Sequence, residues 1–334
     1  MKIVYAALLA GLAGCAGTAS APLVSAPQSV PAAGQGVPEI GGCRILPASN
    51  PWNTDVSRFP LDPKSARYID SIQNDGSGQT NLHADFGEDP AYGIPFAVVP
   101  STQKRVPIQL EAYASQSDPG PYPVPPNAPV EGGKNACCDR HVLVLQSGTC
   151  ELFELYHAHE TGRGVAWTAD AGAIFHLNSN RLRPNGWTST DAAGLPVLPG
   201  LVKCAEVQAG AIDHAIRFTV NRTANGYIHP ATHFSGTGGI VPMGLRFRMK
   251  ASYDISRLHG QARVIALAMK RYGMMVADDG YNWFFQGEGT GNRPASCWND
   301  RDLDQLKRVP GTAFEVVKTG PILHAGSAGI LQRQ

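Results

Sequence analysis

The chain has 334 residues, a formal net charge of +1, 16% charged residues and 43% hydrophobic residues. This length is sufficient to bury a sizeable core. The nearly balanced charge argues against nucleic-acid binding, which requires a basic surface. With 37 glycines and 26 prolines, the composition predicts many turns and long ordered loops.

The N-terminus has the pattern of an export signal. Lys2 is followed by an apolar run over residues 3–12, and the run ends in Leu-Ala-Gly-Cys at Cys15. The apolar run is too short to span a bilayer in the mature protein. Its ending resembles the bacterial lipoprotein box, which implies signal cleavage after residue 14 and a lipid on Cys15. Ala16, in place of an acidic residue, favours the outer membrane by the same resemblance. An ordinary signal peptide is the alternative.

The segment after Cys15 is rich in Ala, Pro, Ser and Gly. Such a composition buries no core, so we predict a flexible tether over residues 15–42. A single globular domain is expected over residues 43–318, with a short tail over residues 319–334. We expect the protein to be a monomer.

Six cysteines remain in the predicted mature chain: Cys43, Cys137, Cys138, Cys150, Cys204 and Cys297. An even number in an exported chain predicts disulfides, and the connectivity stays open. Cys150 is placed to meet Cys137 or Cys138, because a strand and a turn separate them. A zinc site is the competing interpretation, but the chain has no Cys-x-x-Cys pair. No cofactor is predicted, and a metal ion has no sequence support.

In chain order, an N-capping Asp62 and Pro63 predict a helix reaching Gln73, with Ala66, Ile69 and Ile72 buried. A proline-rich loop over residues 118–133 is long enough to be functional. Alternating hydrophobic residues predict strands over residues 140–145, 151–156, 173–177, 212–220, 245–249 and 274–277, the first two forming a hairpin.

One convincing helix is predicted over residues 261–272, with Gly273 ending it. Asp278-Asp279-Gly280 then has the composition of a turn. Many short strands and few helices indicate a mainly-β fold. We expect an antiparallel β-sandwich or jelly-roll with peripheral helices.

Seven short motifs carry a resemblance to a known group of proteins: PWNT at 51–54, DRHVLV at 139–144, AGLP at 193–196, DHA at 213–215, PATHF at 230–234, MGLR at 243–246 and YGMMVAD at 272–278. Together they resemble a family of secreted bacterial proteins over residues 43–317. The resemblance implies export and one domain. It implies no activity and no catalytic residues.

Carboxylates are the first candidates for chemistry. Glu154 lies on a strand face beside Tyr156, and further carboxylates lie at strand ends or in loops: Asp139, Asp191, Asp213, Asp278 and Asp279. Two carboxyl groups across a cleft are the acid and base of glycoside hydrolysis. We select Asp213, Glu154 and Asp139 as catalytic candidates. Turn formation and capping are the structural alternatives.

Histidines are the second set of candidates. His229 and His233 cannot form the helical metalloprotease pair, because Pro230 and the nearby glycines prevent a helix. We select His233, in a Gly-rich loop, as a catalytic candidate and His141 as a substrate-binding one. For His214, on an apolar face, a buried structural role is the stronger interpretation.

Arginines and aromatic residues complete the candidate site. Arg217, Arg246 and Arg248 alternate with core residues on neighbouring strands, a pattern that would hold a uronate or sulfate group by bidentate contacts. With Tyr156 or His233 as proton acceptor, this would suit a polysaccharide lyase. A solvated sheet face is the alternative. Trp187 is selected as a ring that stacks on sugar.

Other enzyme classes lack their motifs. The chain has no Gly-x-Ser-x-Gly string and no phosphate-binding Gly-rich loop. We therefore predict a surface-anchored glycoside hydrolase or polysaccharide lyase that acts on an extracellular or envelope glycan. A non-catalytic glycan- or envelope-binding lipoprotein is the alternative, and a structural envelope protein is a third interpretation.

Overall fold

The computed structural model describes residues 36–291 and 296–324. The predicted signal peptide, the lipidation site at Cys15 and most of the predicted tether lie outside these ranges. Within the described residues, no helix has both the length and the apolar character needed to cross a bilayer.

Strands dominate the described residues, which confirms the mainly-β class. The strands are β1 Glu39–Ile40, β2 Cys43–Arg44, β3 His83–Ala84, β4 Phe96–Val99, β5 Ile108–Leu110, β6 Val142–Gln146, β7 Glu151–Tyr156, β8 His159–Thr161, β9 Ala166–Ala169, β10 Ala171–His176, β11 Ile216–Val220, β12 Thr223–Tyr227, β13 Val241–Met243, β14 Arg246–Met249, β15 Met274–Asp279, β16 Phe284–Phe285 and β17 Phe314–Val316. The α-helices are α1 Ser65–Gln73, α2 Cys204–Ala209, α3 Gly260–Arg271 and α4 Asp300–Leu303.

Two larger sheets organise the fold. One has four strands in the order β10-β7-β6-β4, and the other has six in the order β17-β14-β15-β11-β16-β3. Both are mixed rather than purely antiparallel, because β4 runs parallel to β6 and β11 runs parallel to β15. Smaller two- and three-stranded sheets surround them.

The four-stranded sheet is buried on both faces. Leu143, Leu145 and Leu152 join the main core, which also contains the apolar residues of the six-stranded sheet. Val144 and Phe153, on the opposite face, join a second core beneath the proline-rich loop. Burial of both faces explains why β6 and β7 are apolar at most positions, instead of alternating between apolar and polar residues.

The predicted hairpin and the main helix are confirmed. β6 pairs antiparallel with β7, and α3 buries Ala262, Ile265, Ala268 and Met269 as predicted. Gly273 follows with a φ of 71°, a left-handed backbone that glycine adopts without strain.

The first helix begins later than predicted. Asp62 accepts a hydrogen bond from the Lys64 N–H at 2.7 Å, and this turn delays α1 to Ser65. Tyr68 is buried in α1 together with Ile69 and Ile72. The prediction of a buried Ala66 is wrong, because that residue is exposed.

The predicted turn at Asp278 is also wrong. β15 continues through Asp279, because Asp278 and Asp279 pair with Thr219 and Val220 of β11. Parallel pairing over the whole length of β11 outweighs the local preference of aspartate for turns. Asp278 is therefore fixed in the sheet.

Three disulfides join the six cysteines as Cys43–Cys150, Cys137–Cys138 and Cys204–Cys297. The predicted pairing of Cys150 with Cys137 or Cys138 is wrong. Those two neighbours bond to each other, and β2 brings Cys43 to the turn after β6. Order also continues past the predicted domain end, because Leu323 pairs with Tyr227.

Candidate functional site

Four polar side chains lie on one face of the six-stranded sheet, and we call them the polar row: Asp85, Gln286 and Arg217 follow one line across the strands, and Asp278 lies one position further along, paired with Thr219 after a register shift. Their positions follow from the register. Phe218 pairs with Phe285, and Phe285 pairs with Ala84. Phe218 and Phe285 are core residues. Since successive side chains alternate between faces, the neighbours of these residues point to the opposite face.

Arg217 is the fully buried centre of this polar row, with no exposed surface. Its Nη2 lies 3.3 Å from Asp191 Oδ2 and 3.7 Å from Asp278 Oδ2. Its Nη1 donates to Gln286 Oε1. A buried arginine needs such partners, because an unpaired charge costs several kcal/mol.

Asp191 is the dedicated counter-ion of Arg217. It is buried, and its Oδ1 accepts the N–H groups of Ala193 at 3.0 Å and Leu195 at 3.1 Å. Burial raises the pKa of Asp191, but Arg217 and these two N–H donors oppose the rise because they stabilise the charged form.

His141 forms a second internal ion pair beside the polar row. Its Nδ1 lies 2.6 Å from Glu131 Oε2, and its Nε2 lies 2.8 Å from the Thr190 carbonyl oxygen. Both ring nitrogens face acceptors, so both carry protons and the ring is cationic. Burial opposes this charge, but the carboxylate of Glu131 outweighs burial and raises the pKa of His141 to about 9.

Asp278 differs from these paired groups because it is partly open to solvent. Its side chain is 27% exposed, and its Oδ1 accepts the Asp279 N–H at 2.8 Å. Desolvation and the nearby charge of Asp191 raise the pKa of Asp278 to about 7, although Arg217 lowers it. Asp278 therefore holds a proton in a substantial share of molecules at neutral pH.

Three further polar groups surround Asp278 and Arg217. Asp139 is exposed, and its Oδ1 lies 3.4 Å from the Tyr156 hydroxyl. Burial and the charges of Asp139 and Asp278 raise the pKa of Tyr156 to about 12. Burial and the charge of Glu131 raise the pKa of Asp85 to about 6. These electrostatic couplings define one cluster, the carboxyl cluster: Asp85, Glu131, Asp139, Tyr156, Asp191 and Asp278.

The backbone beside this cluster is strained at two positions. Arg140, between Asp139 and His141, has a φ of 49°, and His157, next to Tyr156, has a φ of 52°. Non-glycine residues rarely adopt this region. Arg140 is held there by the carbonyl groups of Lys134, Ala136 and Ala158, at 2.9, 3.0 and 3.0 Å. The strain turns Asp139 and His141 toward the cluster from one strand end.

Glu154, selected from the sequence, lies in the interior. It is fully buried and accepts the N–H groups of Val197 at 2.9 Å and Leu198 at 3.0 Å, and the Thr190 hydroxyl at 2.9 Å. These contacts fix the loop that carries Asp191. Glu154 thus supports the candidate site from beneath and offers no surface to a substrate.

The structure does not bring Asp213 and His233 together. Asp213 precedes β11 and accepts from the Tyr272 hydroxyl at 3.3 Å, whereas Asp278 is at the other end of the paired strand β15. His233 Nδ1 donates to the Ala192 carbonyl oxygen at 2.8 Å. His233 therefore lies beside the Asp191 loop, and Asp213 lies away from it.

Arg246 and Arg248 have no accessible guanidinium group. Arg246 donates to the Tyr272 and Pro51 carbonyl oxygens, and Arg248 Nη1 donates to the Val56 carbonyl oxygen at 2.7 Å and the Ser57 carbonyl oxygen at 2.9 Å. Both residues are buried. They tie the N-terminal loop to the sheet, so the prediction that they line an accessible face is wrong.

Trp187, the candidate aromatic residue, is partly buried, and the Arg183 guanidinium lies 5.6 Å from the centre of its ring. It lies in the loop that also leads to Asp191. The structure thus gathers three of the sequence-selected residues at one place: Asp139 belongs to the carboxyl cluster, and His141 and Arg217 contact its members Glu131 and Asp191.

Sequence reasoning missed Glu131, Asp85 and Gln286 as site residues. Glu131 lies in the proline-rich loop, whose length is a signal of function. Asp85 and Gln286 each follow a strand of two residues, and such strands have too little periodicity to predict a face. Among the described residues, no group of three His, Cys, Asp or Glu side chains has the geometry to hold a metal ion.

Comparison of the chain with protein-family models, with curated proteins and with solved structures gives no match.

Proposed function

We propose that this protein is a glycoside hydrolase acting on an extracellular or envelope glycan, with Asp278 as the general acid. The observation that carries the proposal is the state of Asp278, a partly exposed carboxyl group with a pKa raised to about 7. A carboxylic acid that keeps its proton near neutral pH is what protonation of a glycosidic oxygen requires.

The neighbouring charges support this role. Arg217 and Asp191 neutralise each other, and so do His141 and Glu131. Of the two carboxyl groups in the polar row, Asp278 has the pKa nearer to neutrality, about 7 against about 6 for Asp85. Perturbed carboxyl groups of this kind cluster at active sites.

A base is needed opposite the acid, and we assign that role to Asp139. It is exposed and hydrogen-bonded by Tyr156, which is electrostatically coupled to both Asp139 and Asp278. Tyr156 therefore links the two carboxyl groups electrostatically and contacts Asp139 directly. The charge of Asp139 also raises the pKa of Asp85. Asp85→Asn is therefore a comparison variant for this assignment.

Hydrolysis fits this cluster better than elimination. A lyase needs free cations to neutralise a uronate and a base that accepts its proton. Here Arg217, Arg246 and Arg248 are already engaged, and a pKa of about 12 makes Tyr156 a poor base at neutral pH. The ionised carboxyl groups of the carboxyl cluster would also repel the negative charge of a uronate. We therefore expect a neutral or cationic glycan.

The lipid anchor on Cys15 belongs to the same proposal. An anchored enzyme at the outer membrane would meet glycans of the envelope or of the surroundings. Labelling of the expressed protein with a radioactive fatty acid tests the anchor, and Cys15→Ser should abolish the label while leaving the folded domain intact.

The activity is tested by screening the protein against neutral, amino-sugar and uronate polysaccharides. New reducing ends without the ultraviolet absorbance of an unsaturated uronate are the expected result. Asp278→Asn and Asp139→Asn should each remove the signal, and Asp213→Asn is the matched control that keeps it. Unsaturated products would establish a lyase, and binding without cleavage would establish a glycan-binding lipoprotein; either result overturns the hydrolase.

A further inference from the structure

Three aromatic rings lie together at the edge of the six-stranded sheet. The rings of His83 and Phe284 are stacked, with centroids 4.2 Å apart and planes 13° apart. The Tyr281 ring follows at 5.2 Å from Phe284, and Tyr281 is 64% exposed. We call these three residues the aromatic platform.

The aromatic platform shares a sheet face with the polar row. His83 is two residues from Asp85, and Phe284 is two residues from Gln286, so each pair points to the same side of its strand. Two residues of an extended strand span about 7 Å. The rings are therefore displaced by about 7 Å along the strands from Arg217. They are level with Thr219, which donates to the Phe284 carbonyl oxygen at 3.4 Å and pairs with Asp278 of the next strand.

The turn that carries Tyr281 is held rigidly. Asn282 is fully buried, and its amide donates to Asp75 Oδ2 at 2.7 Å and Ser77 Oγ at 3.1 Å. The Thr219 hydroxyl donates to the Tyr281 carbonyl oxygen at 2.6 Å. A polar network of this density fixes the backbone, so the Tyr281 ring is presented in one place at small entropic cost.

Trp283, which follows Asn282, shows that the core accepts a large aromatic ring from this turn. The rings of the platform are therefore not exposed for lack of space in the core. Trp283 is fully buried, and its ring contacts Phe218, Phe247 and Phe314 in the core. Its φ of 64° turns the chain so that Trp283 points inward. The neighbouring Tyr281 and Phe284 are left on the outer face.

The chemistry of the platform favours an uncharged ring as its occupant. Burial, with the charge of Lys307, lowers the pKa of His83, so its imidazole is neutral at pH 7. The exposed Tyr281 ring, tilted by 51° from Phe284, offers a flat apolar face, which matches the C–H face of a sugar. No pair of charges in the platform would select an anionic group.

We infer that the aromatic platform is a binding subsite for a neutral sugar ring of the same glycan chain that is cut beside Asp278. This inference rests on the proposed function. One sugar would stack on Tyr281 and Phe284 while a neighbouring linkage reaches Asp278, so the binding site extends over more than one sugar. Long oligosaccharides should therefore bind more tightly than short ones.

Binding is measured without cleavage, by calorimetry on the full chain carrying Asp278→Asn. The probes are disaccharides and hexasaccharides of glucose, xylose, mannose and arabinose. Tyr281→Ala should weaken hexasaccharide binding about tenfold, in the range of stacking contributions, with less effect on disaccharides. Tyr281→Phe keeps the ring and should retain the affinity. Tyr92→Ala, at another exposed tyrosine, is the matched control.

The outcomes separate this inference from the proposed function. Equal affinities for the Tyr281→Ala and Tyr92→Ala proteins would overturn the platform, as would the absence of binding to every neutral probe. If Tyr281→Ala weakens binding but the wild-type chain cleaves nothing, the platform stands as a glycan-binding surface and the hydrolase assignment fails.

Discussion

Arg217 and Arg246 lie in matching positions on either side of β15 and serve different purposes. Both residues pair with Met275, one from β11 and the other from β14, and both are buried. Arg217 is held by carboxyl groups and an amide, whereas Arg246 is held by the backbone carbonyl oxygens of Tyr272 and Pro51.

The difference shows that the partner, rather than the arginine, decides what each region can do. Carbonyl oxygens do not titrate, so the Arg246 region is a fixed clasp on the N-terminal loop. Carboxyl groups exchange protons, and Asp278 competes with Asp191 for the charge of Arg217. Burial lowers the pKa of Arg246 to about 9, so the Arg217 region is the one whose protonation state changes near neutral pH.

The largest expected effect follows from replacing Arg217, the centre of the polar row. Arg217→Met leaves Asp191 buried without its counter-ion, and we expect a loss of about 3–5 kcal/mol in the free energy of unfolding together with all activity. Urea unfolding with the disulfides intact gives the value. Adding Asp191→Asn to Arg217→Met should restore much of the stability but no activity; failure to restore it would mean that the charge pair is not the cause.

Asp278→Asn tests the chemistry with little effect on the fold. We expect the cleavage rate to fall about 10²–10⁴-fold, which is the usual contribution of a general acid, while the unfolding temperature stays the same or rises because a desolvated acid is removed. Asp85→Asn is the comparison variant and should lower the rate less. Equal losses in both variants would reassign the acid.

Arg246→Met tests whether the second arginine has a structural role only. Two buried carbonyl oxygens lose their donor, so we expect a cost of about 1–3 kcal/mol in the free energy of unfolding. The cleavage rate per folded molecule should stay at the wild-type value. A fall in that rate at temperatures well below unfolding would show that the clasp also positions the site.

The two regions should also differ in their dependence on pH. Asp278 and His141 have pKa values of about 7 and about 9, both above their unfolded values of about 3.9 and 6.5. The folded state thus holds more protons than the unfolded state, and stability should decrease as pH rises from about 5 to 9. In the Asp278→Asn protein, stability should decrease less between about pH 5 and 7 than in the wild-type protein. Thermal unfolding at a series of pH values measures this difference. Activity should fall above pH 7 as Asp278 loses its proton.

The smallest expected effect concerns Asp213. It lies beside Tyr272, at the far end of the strands from Asp278, so Asp213→Asn should change the free energy of unfolding by no more than about 0.5 kcal/mol. Its cleavage rate should equal that of the wild-type chain. A large loss of rate would place the active site at the other end of β11.

Local patterns predicted the elements more successfully than the partners. The β6–β7 hairpin and α3 follow from short-range periodicity, and both are present in the structure. The partner of Cys150 is 107 residues away, and no local pattern carries that information. The sequence predicts Asp278 in a turn, because aspartate has a local preference for turns. Its place in β15 depends on pairing with β11, which is distant in the chain.

The sequence by itself determined the mainly-β class, the principal hairpin, the long helix and the presence of Asp139, His141 and Arg217 as polar residues on predicted strands or at their ends. Only the tertiary structure decided which of the arginines meet carboxyl groups, which carboxyl group keeps solvent access, and where an aromatic surface is exposed. The reason is physical. Alternation and helical periodicity fix the direction of a side chain relative to its own strand or helix, whereas desolvation and charge pairing depend on neighbours that the fold brings from distant parts of the chain.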